Sequence, residues 1–134
     1  MFSVTKRLDF CYGHRLLDYD GVCKHLHGHN AVAEIEVSSG ELDGRDMVCD
    51  FSDIKRIVKG WIDEEIDHKL LLRKDDPLVP VLRELGEPVY LLDTNPTVEC
   101  LARLIYEFAS GQGFRVVRVK VWETPTSVAE YRAT

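Results

Sequence analysis

Two long segments of this chain alternate apolar and polar side chains, and this alternation constrains the fold more than any other feature. From Val4 to His14 the even positions are mostly apolar and end in a histidine, while the odd positions before residue 10 are polar. From His27 to Val37 the odd positions carry two histidines and then small or branched apolar residues. Because successive side chains on a strand point to opposite faces, both segments are predicted to be strands with one buried face.

A third strand is predicted near the C-terminus, over residues 114–123. Val117, Val119, Val121 and Glu123 share one parity, so the pattern places a carboxylate on the buried face of this strand. Burying a charge without a partner is costly. Glu123 therefore requires either an arginine within the protein or a ligand that presents paired N–H groups.

Two helices are predicted between these strands from apolar residues at helical spacing. The first covers residues 51–66, and Asp50 or Ser52 is suited to cap its start. The second follows the segment "TNPTVE", with Thr94 or Asn95 as its N-cap and Gly111 at its end.

Further elements complete an α+β pattern. A short helix is predicted from Asp76 to Leu85, and extra strands are predicted near Met47 and Tyr90. The order of two strands, helices and a final strand favours an antiparallel sheet with helices packed on one face. A length of 134 residues predicts a single domain over residues 1–134.

Composition argues against several functional classes. A formal net charge of −6 argues against a general nucleic-acid-binding protein, so a small-molecule partner is expected. No apolar run approaches the roughly 18 residues that span a bilayer, and the N-terminus lacks a signal-peptide pattern, so a cytoplasmic protein is expected. The 4 cysteines are widely spaced, which favours free thiols over disulfides.

The segment "HLHGHN" predicts a metal site. His27 and His29 project from the same face of one strand with origins about 6.6 Å apart, close enough to share one ion. His14 adds a third nitrogen if the two strands pair as a hairpin. Three neutral histidines leave one tetrahedral position open, as a catalytic zinc requires. The alternative is a set of surface or core histidines without a metal.

Three further residues near these histidines suggest proton transfer. Cys23 is either a fourth zinc ligand, which would make the site structural, or a thiol that acts as base or nucleophile. Asp67 can orient His68 and raise its basicity, although a solvated helix end is the simpler alternative. Thr97 and Glu99 are explained equally well as capping residues of the second helix.

Together these residues resemble the 6-pyruvoyl-tetrahydropterin synthase / 6-carboxytetrahydropterin synthase family. The segments "FCYGHRL", "CKHLHGHN", "VCDFSDIK", "IDHKLL", "NPTVE" and "VKVWETPT" occur in the family's order through nearly the whole chain. The resemblance implies a tunnelling fold, in which a four-stranded antiparallel sheet carries two helices on one face. It also implies a homo-oligomer in which three subunits join into a barrel, commonly stacked as a hexamer, with sites at subunit interfaces.

The resemblance also implies a role for each candidate site residue. It identifies His14, His27 and His29 as zinc ligands, Cys23 as the catalytic thiol, Asp67 and His68 as the rest of the proton relay, and Glu123 as the pterin anchor. It places Thr97 and Glu99 near the pterin ring.

The implied activity is that of a lyase acting on 7,8-dihydroneopterin triphosphate. The spacing of Cys23 and His27 resembles the carboxy-forming members, so we expect a zinc-dependent 6-carboxy-5,6,7,8-tetrahydropterin synthase of the queuosine precursor pathway. The alternatives are the pyruvoyl-forming enzyme, a homologue that cleaves a pterin side chain, and a non-catalytic zinc-containing pterin-binding module. The chain departs from the common pattern at Tyr12 and Val22, and the first departure puts a bulky side chain near the site.

Overall fold

A mixed six-stranded sheet forms the framework of the protein, and the computed structural model describes all residues from 1 to 134. The strands are β1 Phe2–His14, β2 His27–Ser39, β3 Lys69–Arg73, β4 Val89–Leu92, β5 Val116–Thr124 and β6 Ser127–Arg132. Their order across the sheet is β4-β3-β1-β2-β5-β6. The expected four antiparallel strands are present as β1, β2, β5 and β6, but the sheet has six strands rather than four, because β3 pairs in parallel with β1 and β4 pairs in parallel with β3.

Four helices pack against this sheet: three cover one face around the main apolar core, and the helix over Leu78–Glu84 packs on the opposite face, against Leu72. They are α1 Phe51–Ile54, α2 Gly60–Glu65, α3 Leu78–Glu84 and α4 Val98–Gly111, with a π-helical segment, Lys55–Lys59, joining α1 to α2. A cluster of 20 buried residues fills the space between the sheet and the helices. The rings of Trp61 and Phe108 stack with centroids 4.4 Å apart, which joins α2 to α4. No helix combines the length and apolar character needed to cross a membrane.

The long β1–β2 hairpin confirms the two predicted strands and their buried faces. The pairing is continuous from Phe2 opposite Ser39 to His14 opposite His27. Leu8, Phe10, Tyr12 and His14 are all buried along one face of β1. The alternation therefore brings the histidines of both strands to the same face and the same end of the hairpin.

The helical run over residues 51–65 begins as predicted. The Asp50 carboxylate accepts a hydrogen bond of 2.8 Å from the Ser52 N–H and caps α1. The buried residues recur every four positions, as Ile54, Val58, Ile62 and Ile66. Four residues exceed one α-helical turn, so this stripe would drift around the helix, and the wider π segment reduces that drift.

Neither Thr94 nor Asn95 caps α4 as predicted, whereas the alternative that Thr97 is a capping residue is confirmed. The side chain of Thr97 accepts the Cys100 N–H, and the helix begins at Val98. Asn95 is engaged elsewhere, because its side chain accepts from the Leu17 N–H at 2.9 Å and donates to the Leu17 carbonyl at 2.8 Å. Asn95 therefore holds the loop after β1 against the segment that leads into α4.

Two strand predictions also need correction. At the start of β5, Val116 is buried instead of the predicted Val117, because a bulge opposite Glu36 and Val37 shifts the register there. The strand predicted near Tyr90 is present as β4, whereas the segment near Met47 forms turns. The predicted third helix is present but shorter, as α3.

Candidate active site

Three imidazoles meet at the end of the β1–β2 hairpin. One ring nitrogen from each of His14, His27 and His29 lies within 4.8 Å of the others. The ring centroids are 4.5 Å apart for His14 and His27, 5.1 Å for His14 and His29, and 5.0 Å for His27 and His29. The convergence predicted from strand alternation is therefore confirmed.

Hydrogen bonds to backbone carbonyls orient two of these rings. Nδ1 of His14 lies 2.7 Å from the carbonyl oxygen of Pro96, and Nδ1 of His27 lies 2.7 Å from that of His25. A carbonyl can only accept, so each Nδ1 carries the proton and each Nε2 keeps its lone pair. A histidine that ligates a metal through one ring nitrogen usually donates a hydrogen bond from the other, as Nδ1 does here.

The Nε2 atoms fit a metal ion rather than a protein partner. Nε2 of His14 and Nε2 of His27 are buried and have no hydrogen-bond partner. A buried polar atom without a partner is costly, and a bound cation would satisfy both atoms. Burial is the main cause that lowers the pKa of His14, so its ring favours the neutral form that binds metals. The three histidines therefore fit an ion that keeps an open coordination position.

Glu123 lies beside this cluster. Its Oε1 is 3.4 Å from Nε2 of His29 and 3.6 Å from Nε2 of His14, and its side chain is 24% exposed. The hydroxyl of Tyr12 donates to the same oxygen over 3.4 Å. This carboxylate thus accepts a hydrogen bond from one phenol and lies beside two imidazoles, and its remaining exposed surface is available to a ligand.

Tyr12 lies close to the site, as the sequence predicted. Its ring meets that of His14 edge to face, with centroids 5.0 Å apart, and the residue is only 3% exposed. Burial raises the pKa of Tyr12, and the Glu123 carboxylate raises it further. The phenol therefore remains protonated and can serve only as a donor to Glu123 at neutral pH.

Asp67 and His68 form a close pair in the turn between α2 and β3. Asp67 Oδ2 lies 2.6 Å from His68 Nδ1, and Asp67 Oδ1 accepts the backbone N–H of Cys11 at 2.8 Å. Burial opposes ionisation of Asp67, but these two hydrogen bonds outweigh it and lower the pKa of the carboxyl. His68 has a φ of 59°, a left-handed conformation that is uncommon for a residue with a side chain.

The pair lies on the opposite face of β1 from the three imidazoles. The thiol of Cys11, not that of Cys23, is near it, with Sγ 3.5 Å from His68 Nδ1. Cys11 has the opposite parity from His14 on β1, so it faces away from the histidine cluster. Within one chain the structure therefore separates the predicted proton-transfer pair from the predicted metal ligands.

A cleft of about 580 Å³ lies at this end of the sheet. Cys11 and His68 are among its lining residues, as are the paired glycines Gly13 and Gly28. A Cβ atom on Gly28 would lie 3.0 Å from the carbonyl oxygen of Tyr12. The glycine at this position therefore allows the two strands to approach closely under the cleft.

Cys23, Thr97 and Glu99 occupy less central positions. Cys23 lies in a short 3-10 turn, Val22–Lys24, and its thiol does not belong to either of the two close groups of potential metal ligands. Thr97 follows Pro96, which accepts from His14, but its hydroxyl caps α4. Glu99 is exposed in the first turn of α4.

Cys11 is the site residue that the sequence did not reveal. Its odd position on β1 places it opposite the buried face, where a thiol has no obvious partner. It meets His68 only because β3 pairs with β1 in parallel, from Tyr12 opposite Lys69 onward. The parity of Cys11 was visible in the sequence, but the pairing between distant strands was not.

Known proteins resemble this chain in sequence and in fold. A sequence model of the family described as 6-pyruvoyl tetrahydropterin synthase matches residues 3–134. The 6-carboxy-5,6,7,8-tetrahydropterin synthase of Rickettsia bellii is 36% identical over 137 residues, which cover 97% of this chain and 99% of that protein.

Two solved structures share the fold. An uncharacterised protein of Wolinella succinogenes superposes with a TM-score of 0.84 at 28% identity, over 99% of this chain and 98% of that one. The 6-pyruvoyl tetrahydropterin synthase of Caenorhabditis elegans superposes with a TM-score of 0.74 at 21% identity, over 99% and 96% of the two chains. With its histidine cluster and a family match over almost its full length, the chain belongs to the 6-pyruvoyl tetrahydropterin synthase family.

Proposed function

We propose that this protein is a zinc-dependent 6-carboxy-5,6,7,8-tetrahydropterin synthase, a lyase that acts on 7,8-dihydroneopterin triphosphate. The observation that carries the proposal is the histidine cluster with two buried, unpartnered Nε2 atoms beside the Glu123 carboxylate. The relative from Rickettsia bellii, which bears this name, supports the carboxy-forming branch. The product would serve as a queuosine precursor.

His14, His27 and His29 would hold the zinc ion. When bound there, zinc supplies Lewis acidity that stabilises negative charge developing on a substrate oxygen. Glu123 accepts N–H bonds from the aminopyrimidinone edge of the pterin and fixes the ring beside the histidines. Thr97 and Glu99 would lie near the ring, since Thr97 directly follows the Pro96 carbonyl that binds His14.

Proton transfer is assigned to Cys23, Asp67 and His68. Cys23, as a thiolate, removes the proton from the carbon next to the ring. His68 exchanges a proton with a hydroxyl of the substrate side chain, and the ionised Asp67 orients its imidazole. Asp67 is fixed in turn by the Cys11 N–H.

We propose that a complete site needs two copies of the chain. Asp67 and His68 lie on the opposite face of β1 from the histidine cluster, so within one chain the two groups do not face the same side of the sheet. A second subunit can bring both groups to one substrate, which supports a homo-oligomer built from trimers, with a hexamer as the expected form. Each subunit would be a single domain over residues 1–134. All 4 cysteines are free, which is consistent with action in the reducing cytoplasm.

Product identification tests this proposal. The zinc-loaded protein is incubated with 7,8-dihydroneopterin triphosphate, and the products are identified by mass, beside a Cys23→Ala variant and a Cys100→Ala variant as the matched control. Acetaldehyde and 6-carboxytetrahydropterin, formed by the Cys100→Ala protein but not by Cys23→Ala, are the expected result. Intact substrate would overturn the assignment and favour a binding module, which needs neither Cys23 nor His68.

The pyruvoyl-forming reaction is the second candidate. The family description and the fold of the Caenorhabditis elegans enzyme both favour it. Triphosphate elimination without release of acetaldehyde would place the protein in that branch. Tyr12 is buried beside Glu123, where it can influence which pterin side chain the site accepts.

A further inference from the structure

We propose that Cys11, Asp67 and His68 form a second binding site for a divalent transition-metal ion of the zinc type. This site is separate from the three imidazoles. Its occupation removes His68 from proton transfer, so an excess of the ion inhibits the enzyme. The binding itself is independent of the function proposed above, whereas the inhibition rests on it.

The thiol and the imidazole are already spaced as two ligands of one ion, whereas the Asp67 carboxylate, 2.6 Å from His68 Nδ1, has to move away from the ring to join them. One atom from each of the three side chains lies within 4.8 Å of the others. Cys11 Sγ and His68 Nδ1 are 3.5 Å apart. Zinc binds sulfur at about 2.3 Å and imidazole nitrogen at about 2.0 Å, so two such ligands on a tetrahedral ion are separated by roughly 3.5 Å. The thiol and the imidazole thus need little movement to share an ion.

Two hydrogen bonds fix the backbones of Cys11 and His68 and the Asp67 carboxylate relative to one another. The Cys11 N–H donates to Asp67 Oδ1, and the His68 N–H donates to the Cys11 carbonyl, both at 2.8 Å. These bonds hold the turn after α2 against the middle of the sheet. They also stabilise the left-handed conformation of His68, at φ 59°. A site that is fixed before binding loses less conformational entropy when the ion arrives.

The donor set selects the class of ion. A thiolate and an imidazole favour zinc and similar ions over magnesium or calcium, which prefer oxygen ligands. The site lines the open cleft and the His68 side chain is 79% exposed, so an ion can enter and water can complete its coordination. The imidazole site has only nitrogen ligands, and this difference makes the two sites distinguishable by spectroscopy.

Binding at this site competes with the Asp67–His68 hydrogen bond. On binding, the Cys11 thiol releases its proton to solvent, and the proton on His68 Nδ1 leaves that atom for Nε2 or for solvent. Nδ1 then binds the ion instead of Asp67, which lies 2.6 Å away in the free protein. At least one proton is therefore released for each ion bound. His68 no longer keeps the orientation that Asp67 gives it.

Cobalt(II) distinguishes the two sites, because only a thiolate ligand gives an intense near-ultraviolet sulfur-to-metal charge-transfer band. Metal-free protein is titrated with cobalt(II) as the wild type, Cys11→Ser and Cys23→Ser. The band is expected in the wild type and in Cys23→Ser and is expected to be lost in Cys11→Ser, which keeps the visible bands of the imidazole site. His68→Asn, a residue that tolerates positive φ, is expected to weaken the band as well.

Two spectroscopic results would overturn the proposal. The first is the absence of a charge-transfer band in the wild type. The second is a band that survives in Cys11→Ser but disappears in Cys23→Ser, which would place the thiolate ligand at the imidazole cluster instead. Neither result depends on turnover, so failure here is distinct from failure of the proposed function.

Zinc inhibition tests the consequence. The synthase assay is run with the imidazole site filled and with excess zinc added. The zinc concentration that inhibits the wild type is expected to be at least about tenfold lower than the concentration that inhibits Cys11→Ser. The reason is that loss of a ligand weakens metal binding at least as much as loss of a supporting residue. Equal inhibition of both proteins would overturn the regulatory part of the proposal. An inactive wild type would instead overturn the proposed function and leave the cobalt result standing.

Discussion

Nδ1 of His14 lies 2.7 Å from the carbonyl oxygen of Pro96, so the candidate metal site is attached directly to the segment that starts α4. Asn95, the preceding residue, clamps the backbone of Leu17 in the loop after β1. The first contact comes from the last residue of β1 and the second from the segment before α4, so together they join the end of β1 to the beginning of α4. The position of one metal ligand is therefore fixed by tertiary structure as well as by its strand.

Replacement of His27 by alanine should abolish metal binding at the imidazole site, because two ligands seldom retain zinc in competition with water. His25→Ala is the matched control: His25 supplies only its backbone carbonyl to His27, and that carbonyl remains in the variant. Zinc content after dialysis is measured in a Cys11→Ser background, so that only one site is counted. Equal zinc content in the two variants would contradict the assignment of His27 as a ligand.

Replacement of Glu123 by glutamine should separate ligand binding from metal binding. A hydrogen bond to a charged group contributes about 1.5–3 kcal/mol, so pterin affinity should fall by roughly one to two orders of magnitude. Zinc content should not change if the carboxylate contacts the ligand rather than the ion. Calorimetry with a pterin and metal analysis measure the two quantities, and Glu130→Gln on β6 is the control. A loss of zinc in Glu123→Gln would identify the carboxylate as a fourth metal ligand.

Replacement of Asp67 by asparagine should lower kcat by about 10²-fold or more with little change in KM, since general acid–base catalysis contributes on this scale. The amide oxygen can still accept the Cys11 N–H, so the turn is retained while the charge that orients His68 is lost. Steady-state kinetics over a range of pH provide the measurement. Asp63→Asn, an exposed carboxylate on α2, serves as the control. An unchanged kcat would exclude Asp67 from the proton relay.

The ion pair of Asp76 and Arg15 should make stability depend on acid pH. The Asp76 side chain is fully buried, and Arg15 Nε donates to Oδ2 at 2.8 Å. Burial alone would raise the pKa of Asp76, but the hydrogen bonds from Arg15 and from the Leu78 N–H outweigh it and lower that pKa. The folded pKa is thus below the unfolded value of about 3.9. The pair stabilises the protein above that pH, and its contribution is lost as the pH falls through the folded pKa.

Asp76→Ala should accordingly lower the free energy of unfolding by about 3–5 kcal/mol at neutral pH, because it leaves Arg15 without its buried partner. Lys74→Ala removes the exposed ion pair with Asp93 and should change the free energy of unfolding by less than about 1 kcal/mol. Urea denaturation at pH 7 and near pH 3 measures both effects. The difference between wild type and Asp76→Ala should shrink at the lower pH. A constant difference would contradict the lowered pKa.

Thr97 allows capping to be separated from ligand binding. Thr97→Ala removes the acceptor for the Cys100 N–H and should lower the free energy of unfolding by about 1 kcal/mol. Thr97→Ser keeps the hydroxyl and should restore that stability. Thermal unfolding and pterin affinity are compared for the two variants. If Thr97→Ser were as unstable as Thr97→Ala, the hydroxyl would not be the capping group.

The sequence predicted those parts of the fold that depend on local pattern. Alternation along β1 and β2 was sufficient to bring His14, His27 and His29 to one face, because the side-chain period of a strand is independent of its neighbours. Asn95 does not cap α4 as predicted because its side chain is held by Leu17, which is distant in sequence. The bulge beside Val116 and the parallel pairing of β3 are also tertiary effects. The Cys11–His68 contact follows from that pairing and was missed for the same reason.

The continuous register of β1 and β2 has a consequence for folding. The pairing runs from Phe2 opposite Ser39 to His14 opposite His27 without a bulge. A slip of one residue in β2 would turn His27 and His29 to the face that carries Cys11, and the three imidazoles would no longer meet. An ion that requires all three therefore binds only the correctly paired hairpin and stabilises it by mass action. During folding, metal binding would therefore favour the correct register of β1 and β2 over slipped registers.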